Sequence, residues 1–329
     1  MSRSGDPIFN NIYSLCAVAV SGGPDSLALL HMLSYQAEVS TEVHALTVDH
    51  GLRDGSYDEA RQVGEIVSGW PGVTHFILKW DGDKPAARIQ EAARAARYDL
   101  MSAHCRQYEI RNLYLAHHQD DQAETVLFRL AKGSGLDGLV GMRPETLYHE
   151  QLMLHRPLLS TPKQDLIDYC QKNDLPYVND PTNEDKTQAR PRLRAARDAL
   201  EAEGLTSERL ARTAMRLGRA QTALEQYTDQ AWQSALESFS PDHVALLWAI
   251  FIQQPEDVQF RMLQRALAHL NPGRDYAPRM NRLEALMERL KMSSSVRETF
   301  AGVLIDQNMH NGQLCLHLCR ESKSAQTQE

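Results

Sequence analysis

The sequence predicts an α/β protein: a Rossmann-like parallel-sheet domain followed by a smaller, mainly helical one. Three observations predict it. Short apolar runs alternate with helical periodicity through the first part of the chain. The first of these runs empties into a glycine turn, Ser21-Gly22-Gly23-Pro24-Asp25-Ser26. From about residue 205 the alternation gives way to long amphipathic patterns. At 329 residues two domains are expected, placed at 1–204 and 205–329.

The strand runs are 15–20, 43–48, 75–78 and 112–117, and helical patterns fill about 25–37, 56–69, 86–108 and 120–132. Such alternation makes a parallel sheet covered on both faces, whose ligands sit at the carboxyl ends of its strands. In the second domain a long helix is expected through Leu210, Ala214, Leu217, Leu224, Ala231, Ala235 and Phe239, with more near 242–252, 256–271 and 278–291. A hairpin closes the pattern, with Asn311-Gly312 as its turn, before a polar tail over 321–329.

The net charge of −8 supplies no global field for nucleic acid, so any RNA contact must use local patches. Of 35 cations 27 are Arg, the side chain suited to phosphate and base recognition; GC-rich codon usage explains the bias equally well. Five scattered cysteines and the lack of a signal pattern lead us to expect reduced thiols in a cytoplasmic protein. No apolar stretch approaches the roughly 20 residues of a membrane span.

The turn at 21–26 is the most informative segment. Its glycines let the backbone bend and approach a ligand, and its amides, with the dipole of the next helix, make an anion site. Ser21 and Ser26 add hydroxyls. Asp25 is out of place in such a cradle unless a metal lies between it and a phosphate. The spacing fits neither a Walker loop nor a dinucleotide loop. Asp49-His50-Gly51-Leu52-Arg53 follows the second strand, where it either lines an adenosine pocket or forms a solvated turn.

After the fourth strand comes Ala116-His117-His118-Gln119-Asp120-Asp121-Gln122-Ala123-Glu124-Thr125. Asp120 is expected to cap the helix that starts there. Asp121 and Glu124, three apart, share a helix face and can hold one cation. That cation is either a metal, with His118 as a further ligand, or the ammonium of a substrate. Arg94, Arg97 and Tyr98 lie on the preceding helix, within reach of phosphates; Arg88 reads as solvated. Arg129 and Lys132 open a loop with four glycines between 133 and 141. Lys186 and arginines 190, 192, 194, 197, 209, 212, 216 and 219 form a cationic strip with few acids, the footprint expected of an RNA contact.

Together these segments resemble the bacterial tRNA(Ile)-lysidine synthetases, of the N-type PP-loop ATP pyrophosphatase family. The likeness rests on residues 21–26, Val48 to Arg53, Arg94-Ala95-Ala96-Arg97-Tyr98, Ala116 to Thr125, Gly133 to Met142, Arg156-Pro157-Leu158-Leu159, Asp180-Pro181-Thr182-Asn183, Arg190 and Arg194. It is close over about 12–200, and Asn179 and Pro191 depart from the usual pattern. The chain resembles a short form without the additional carboxyl-terminal domain of longer members.

The resemblance implies an enzyme that uses ATP and Mg2+ to adenylate the wobble cytidine of the tRNA(Ile) with a CAU anticodon, then joins free L-lysine to its C2. It implies ATP binding by Ser21, Gly22, Gly23, Pro24, Asp25, Ser26, Asp49, His50, Arg94 and His117, with Asp25 on magnesium. Catalysis would fall to Asp25, Arg97, Asp121 and Glu124, the last two also holding lysine. tRNA would meet Arg129, Lys132, Arg190, Arg192 and Arg194. No membrane partner is expected, and a homodimer is compatible with the reading. The alternatives are a tRNA 2-thiolating relative and a non-catalytic nucleotide-binding regulator.

Overall fold

The structure is a computed structural model that describes residues 14–36, 41–52, 55–82, 84–85, 87–149, 151–178, 197–272, 280–293 and 295–320. Arg53, the Asp180 to Asn183 segment, and arginines 190, 192 and 194 lie outside the described residues. Contacts divide the chain into two units, Met1–Gly218 and Arg219–Glu329.

In the first unit β1 (Leu15–Ala19), β2 (Glu42–Asp49), β3 (Val73–Lys79) and β4 (Asn112–Tyr114) fall where the apolar runs predict strands. Helices α1 (Pro24–Gln36), α2 (Ser56–Val67), α3 (Ile89–Gln107) and α4 (Gln119–Ala131) connect them or follow them. All four strands are parallel neighbours in the order β3-β2-β1-β4. A short helix α5 (Leu136–Leu139) and the antiparallel pair β5 (Glu145–Tyr148) and β6 (Leu152–His155) follow. β6 adds to β4 in parallel and completes a six-stranded sheet, β3-β2-β1-β4-β6-β5. Strand order reverses between β1 and β4, which opens a crevice at the carboxyl edge where α1 and α4 begin.

Leu27, Leu30 and Leu33 of α1 bury against Val18, Val43 and Leu166, the last from α6 (Lys163–Lys172). On the other face Met101 and Cys105 of α3 pack on Ala17, Leu46, Leu113 and Leu154. This two-sided burial is why the strands read as continuous apolar runs.

After α7 (Arg197–Ala202), the long helix α8 (Ser207–Ala235) crosses from one unit to the other. The division therefore falls at Gly218, not at residue 204 as composition suggests. The physical reason is packing: Leu210 and Ala214 bury on Ala123 and Val126 of α4.

The second unit holds β7 (Leu236–Ser240), β8 (His243–Leu247), α9 (Trp248–Ile252), α10 (Glu256–Leu270), α11 (Met280–Met292), β9 (Arg297–Phe300), β10 (Val303–His310) and β11 (Gln313–Arg320). Helices outweigh strands among its described residues, as expected, but they share the unit with a sheet. A five-stranded antiparallel sheet, β7-β8-β11-β10-β9, forms one side, and its core joins Val244, Leu246, Ile305, Leu316 and Leu318 to Phe251, Leu263 and Leu286. The expected hairpin is present, with Asn311 and Gly312 at its turn. The helix expected at 242–252 is strand first and helix afterwards. A five-residue apolar run carries no decisive period, and pairing of 243–247 with 315–319 decides it. Among the described residues no helix is long and apolar enough to cross a membrane.

Candidate active site

The glycine turn leaves β1 and enters α1 with Gly22 at φ 84°. A Cβ there would sit 2.9 Å from Val63, so a left-handed backbone and a close neighbour both demand glycine. The carbonyl of Gly22 accepts the Val178 amide at 2.9 Å, which stitches the loop from behind. Ser26 is buried and braces the turn: its hydroxyl donates to the Gly23 carbonyl (3.0 Å) and accepts the Ser21 amide (3.2 Å). Pro24 and Asp25 form the first turn of α1. Oδ1 of Asp25 is buried with no hydrogen-bond partner, while Oδ2 lies 3.5 Å from His118 Nε2 and 4.0 Å from Lys163 Nζ.

His118 connects this loop to the carboxylates of α4. It is the N-cap, not Asp120. Its Nδ1 accepts the Asp120 amide (3.2 Å), and Oδ2 of Asp121 accepts the His118 amide (3.1 Å), a reciprocal capping box. An acceptor Nδ1 places the ring proton on Nε2, which faces Asp25 and Asp121 at 3.5 Å each. Burial opposes a second proton. The hydrogen bond to Asp25 and the charges of Asp121, Asp25 and Asp120 outweigh it, so the pKa is held above the ordinary imidazole value. Asp25, His118 and Asp121 thus form one cluster, with half-buried Glu124 one turn further along α4. Among the described residues no group of three or more His, Cys, Asp or Glu is spaced to hold a metal ion on its own. The bare Oδ1 of Asp25 does suit a hard cation shared with phosphate oxygens.

A second cluster forms past β2. Oδ1 of Asp49 braces the turn by accepting the Gly51 amide (3.0 Å) and the Ser56 hydroxyl (2.6 Å). Arg97 Nη2 donates to His50 Nε2 at 3.1 Å. Burial, then the Arg97 charge with a contribution from Lys84, pushes the His50 pKa down to about 4 against the pull of Asp49. His50 is therefore neutral at pH 7 with its proton on Nδ1, and that buried N–H has no partner. Such a donor suits a nucleoside acceptor atom.

The glycine loop is fastened to α4. Gln122 is buried, donates to the carbonyls of Val140 (3.2 Å) and Met142 (3.0 Å), and accepts the Met142 amide (2.7 Å). Arg129 Nη1 donates to the carbonyls of Gly138 (2.8 Å) and Gly141 (2.9 Å). Arg129 is thus a loop brace, and Lys132, exposed over the Phe128 ring, is the outward cation of the two. Arg94 lies against Tyr98, and His117 sits between β4 and its helix cap. Lys163, near Asp25, and Gln122, bonded to the glycine loop, join this arrangement without a role expected for them. The motif containing Gln122 was legible, but the clamp it forms needs the loop's position.

The fold and this loop define a class. Residues 7–197 match the family model of the PP-loop domain. The chain is 42% identical to the tRNA(Ile)-lysidine synthase of Methylobacterium sp. (strain 4-46), over 88% of this chain and 85% of that protein. It is 38% identical to the one from Rhodopseudomonas palustris, over 88% and 86%. The fold also resembles the U34-tRNA thiolase NcsA from Methanococcus maripaludis, with a TM-score of 0.53 and 18% identity over 62% of this chain and 72% of that one. It is thus a PP-loop protein. Within that class it belongs to the tRNA(Ile)-lysidine synthase family.

Proposed function

We propose that the protein uses ATP to ligate L-lysine to C2 of the wobble cytidine of tRNA(Ile) with a CAU anticodon. The C2 oxygen attacks the α-phosphorus of ATP and pyrophosphate leaves. The side-chain amine of lysine then attacks C2, and AMP departs with the former C2 oxygen. The amine must arrive neutral, and a carboxylate of α4 accepts its proton. No protein nucleophile is needed, since AMP is a good leaving group.

One observation carries this reading: a partnerless buried Asp25 oxygen in the PP-loop, joined through His118 to the carboxylate-bearing start of α4. Asp25 would hold magnesium, which supplies charge neutralisation for the ATP phosphates. The loop amides bind those phosphates, and His50 and Arg97 hold the nucleoside side. Glu124 and Asp121 receive the lysine ammonium. Because Asp121 already serves the cap, Glu124 is the better proton acceptor. Lys132, with Arg190, Arg192 and Arg194, supplies cations for tRNA, and the protein works in the cytoplasm.

The thiolating alternative fits poorly. Burial pushes the thiols of Cys16 and Cys105 up to about 12, the wrong direction for sulfur transfer. The test is nucleoside analysis of tRNA(Ile) incubated with protein, ATP and lysine, with AMP release followed in parallel. Lysidine and AMP that both require lysine and tRNA are expected. A thiolated nucleoside, or AMP release indifferent to lysine, overturns the assignment.

A further inference from the structure

Arg156, at the carboxyl end of β6, is 8% exposed. Its Nη1 donates to the Arg143 carbonyl (2.9 Å) and to Thr146 Oγ1 (3.0 Å), and the guanidinium lies beside the Tyr98 side chain. Its Nε is buried with no partner. A second guanidinium, Arg94, faces the same phenol, with Nη2 3.5 Å from the hydroxyl and Cζ 5.2 Å from the ring centre. The Arg156 pKa is lowered, by burial first and with the Arg94 charge adding to it. Among the described residues no carboxylate is paired with either one.

A buried cation without a counter-charge is costly, and a like charge beside it adds to the cost. Carbonyls and a neutral phenol offset only part of it. The group this arrangement lacks is an anion, and two planar forks about one aromatic ring suit a phosphate.

Its place in the sheet identifies which phosphate. The PP-loop follows β1, whereas Arg156 follows β6, with β4 between them. Two strand spacings are roughly 10 Å, about the reach of one nucleotide. The helix that leaves β4 carries Asp121 and Glu124. We propose that Arg156, Arg94 and Tyr98 receive the backbone phosphate of the reacting RNA nucleotide, which suspends its base over β4 between that phosphate and the ATP held by the PP-loop. This rests on the ligase reading above, and it assigns Arg94 to RNA rather than to ATP.

The test compares wild type, Arg94→Gln and Arg156→Gln. The probes are ATP and an RNA hairpin with a CAU loop, with the phosphates flanking the reacting cytidine made neutral methylphosphonates one at a time. Arg94→Gln should weaken hairpin binding about tenfold and leave ATP affinity within about twofold. One methylphosphonate should weaken wild type by the same factor and add nothing further to Arg94→Gln. Arg156→Gln should show the same RNA loss with a melting temperature no lower than wild type, because it removes a buried uncompensated charge. If it unfolds instead, the Arg94→Gln cycle decides. A loss confined to ATP assigns the cluster to the triphosphate and overturns the proposal, as do unchanged affinities or independent losses in the cycle. Lysidine formation by wild type is measured alongside, so failure of the ligase reading is seen separately.

Discussion

At the amino edge of the six-stranded sheet, His44 meets His104 through Nδ1 (2.9 Å) and Glu42 through Nε2 (3.3 Å). Six residues along the same chain segment, just past the carboxyl end of β2, His50 has a buried Nδ1 that meets nothing. Asp25 Oδ1 and Arg156 Nε share that condition at the same edge. The two edges bury similar chemistry and treat it in opposite ways. At the amino edge these groups find partners in their own chain and build the fold, whereas at the carboxyl edge Asp25, His50 and Arg156 keep atoms bare where a ligand would arrive.

The severest way to break this contrast is Asp25→Ala. We expect AMP formation to fall by at least ~10³-fold while the fold survives, because Oδ1 bonds nothing and Oδ2 meets only His118 and Lys163, at 3.5 and 4.0 Å. A well-folded variant with normal AMP release would return Asp25 to the structural class.

Glu124→Gln sharpens the carboxyl edge from within. Adenylated tRNA should still form in a single turnover without lysine, while transfer to lysine slows by about 10²-fold. Failure of both Glu124→Gln and Asp121→Asn at adenylation would instead assign these acids to magnesium. Asp121→Asn should also lower stability, since it weakens the capping box at His118.

The amino edge has its own signature in pH. Burial, then the neighbouring His44, pushes the pKa of buried His104 down to about 4. Between the ordinary imidazole value of 6.5 and that level the unfolded chain binds a proton that the folded chain refuses. Stability therefore falls as pH drops through the window, by ~2 kcal/mol from pH 7 to pH 5. Urea unfolding at the two pH values checks it, and His104→Phe should flatten the difference. A wild-type midpoint that does not move with pH would remove the argument.

The smallest effects are expected on the outward cations. Lys132→Ala, Arg190→Ala and Arg194→Ala should each reduce the salt slope of tRNA binding by about one unit and leave ATP affinity unchanged. Unaltered slopes would make these side chains a solvated surface.

The first four strands and their helices are legible because each apolar run is bounded by a periodic helix, and β1, β2 and β4 are buried on both faces. β5 and β6 are not, since four-residue strands leave too little pattern. The PP-loop announced itself through glycine spacing and an acid in the wrong company. The cap of α4 runs against local propensity. Asp120 is the better cap by propensity, and the burial of His118 between Asp25 and Asp121 reverses that preference. Arg156 stands in a segment that carries the family likeness, but its role is not legible there, because a missing counter-charge exists only in three dimensions.

Synthesis order adds a consequence to the stitch between Gly22 and Val178. The PP-loop leaves the ribosome more than a hundred residues before Val178, on which one of its hydrogen bonds waits. The helix that precedes Val178 buries Leu166 and Cys170 against α1, and Cys170 Sγ reaches the Pro24 carbonyl at 3.3 Å. A nascent chain stopped short of that point holds the whole loop sequence and lacks its backing. Nucleotide binding should therefore begin only once residue 178 has emerged, and a ribosome stalled upstream would display a loop that is spelled out but not yet set.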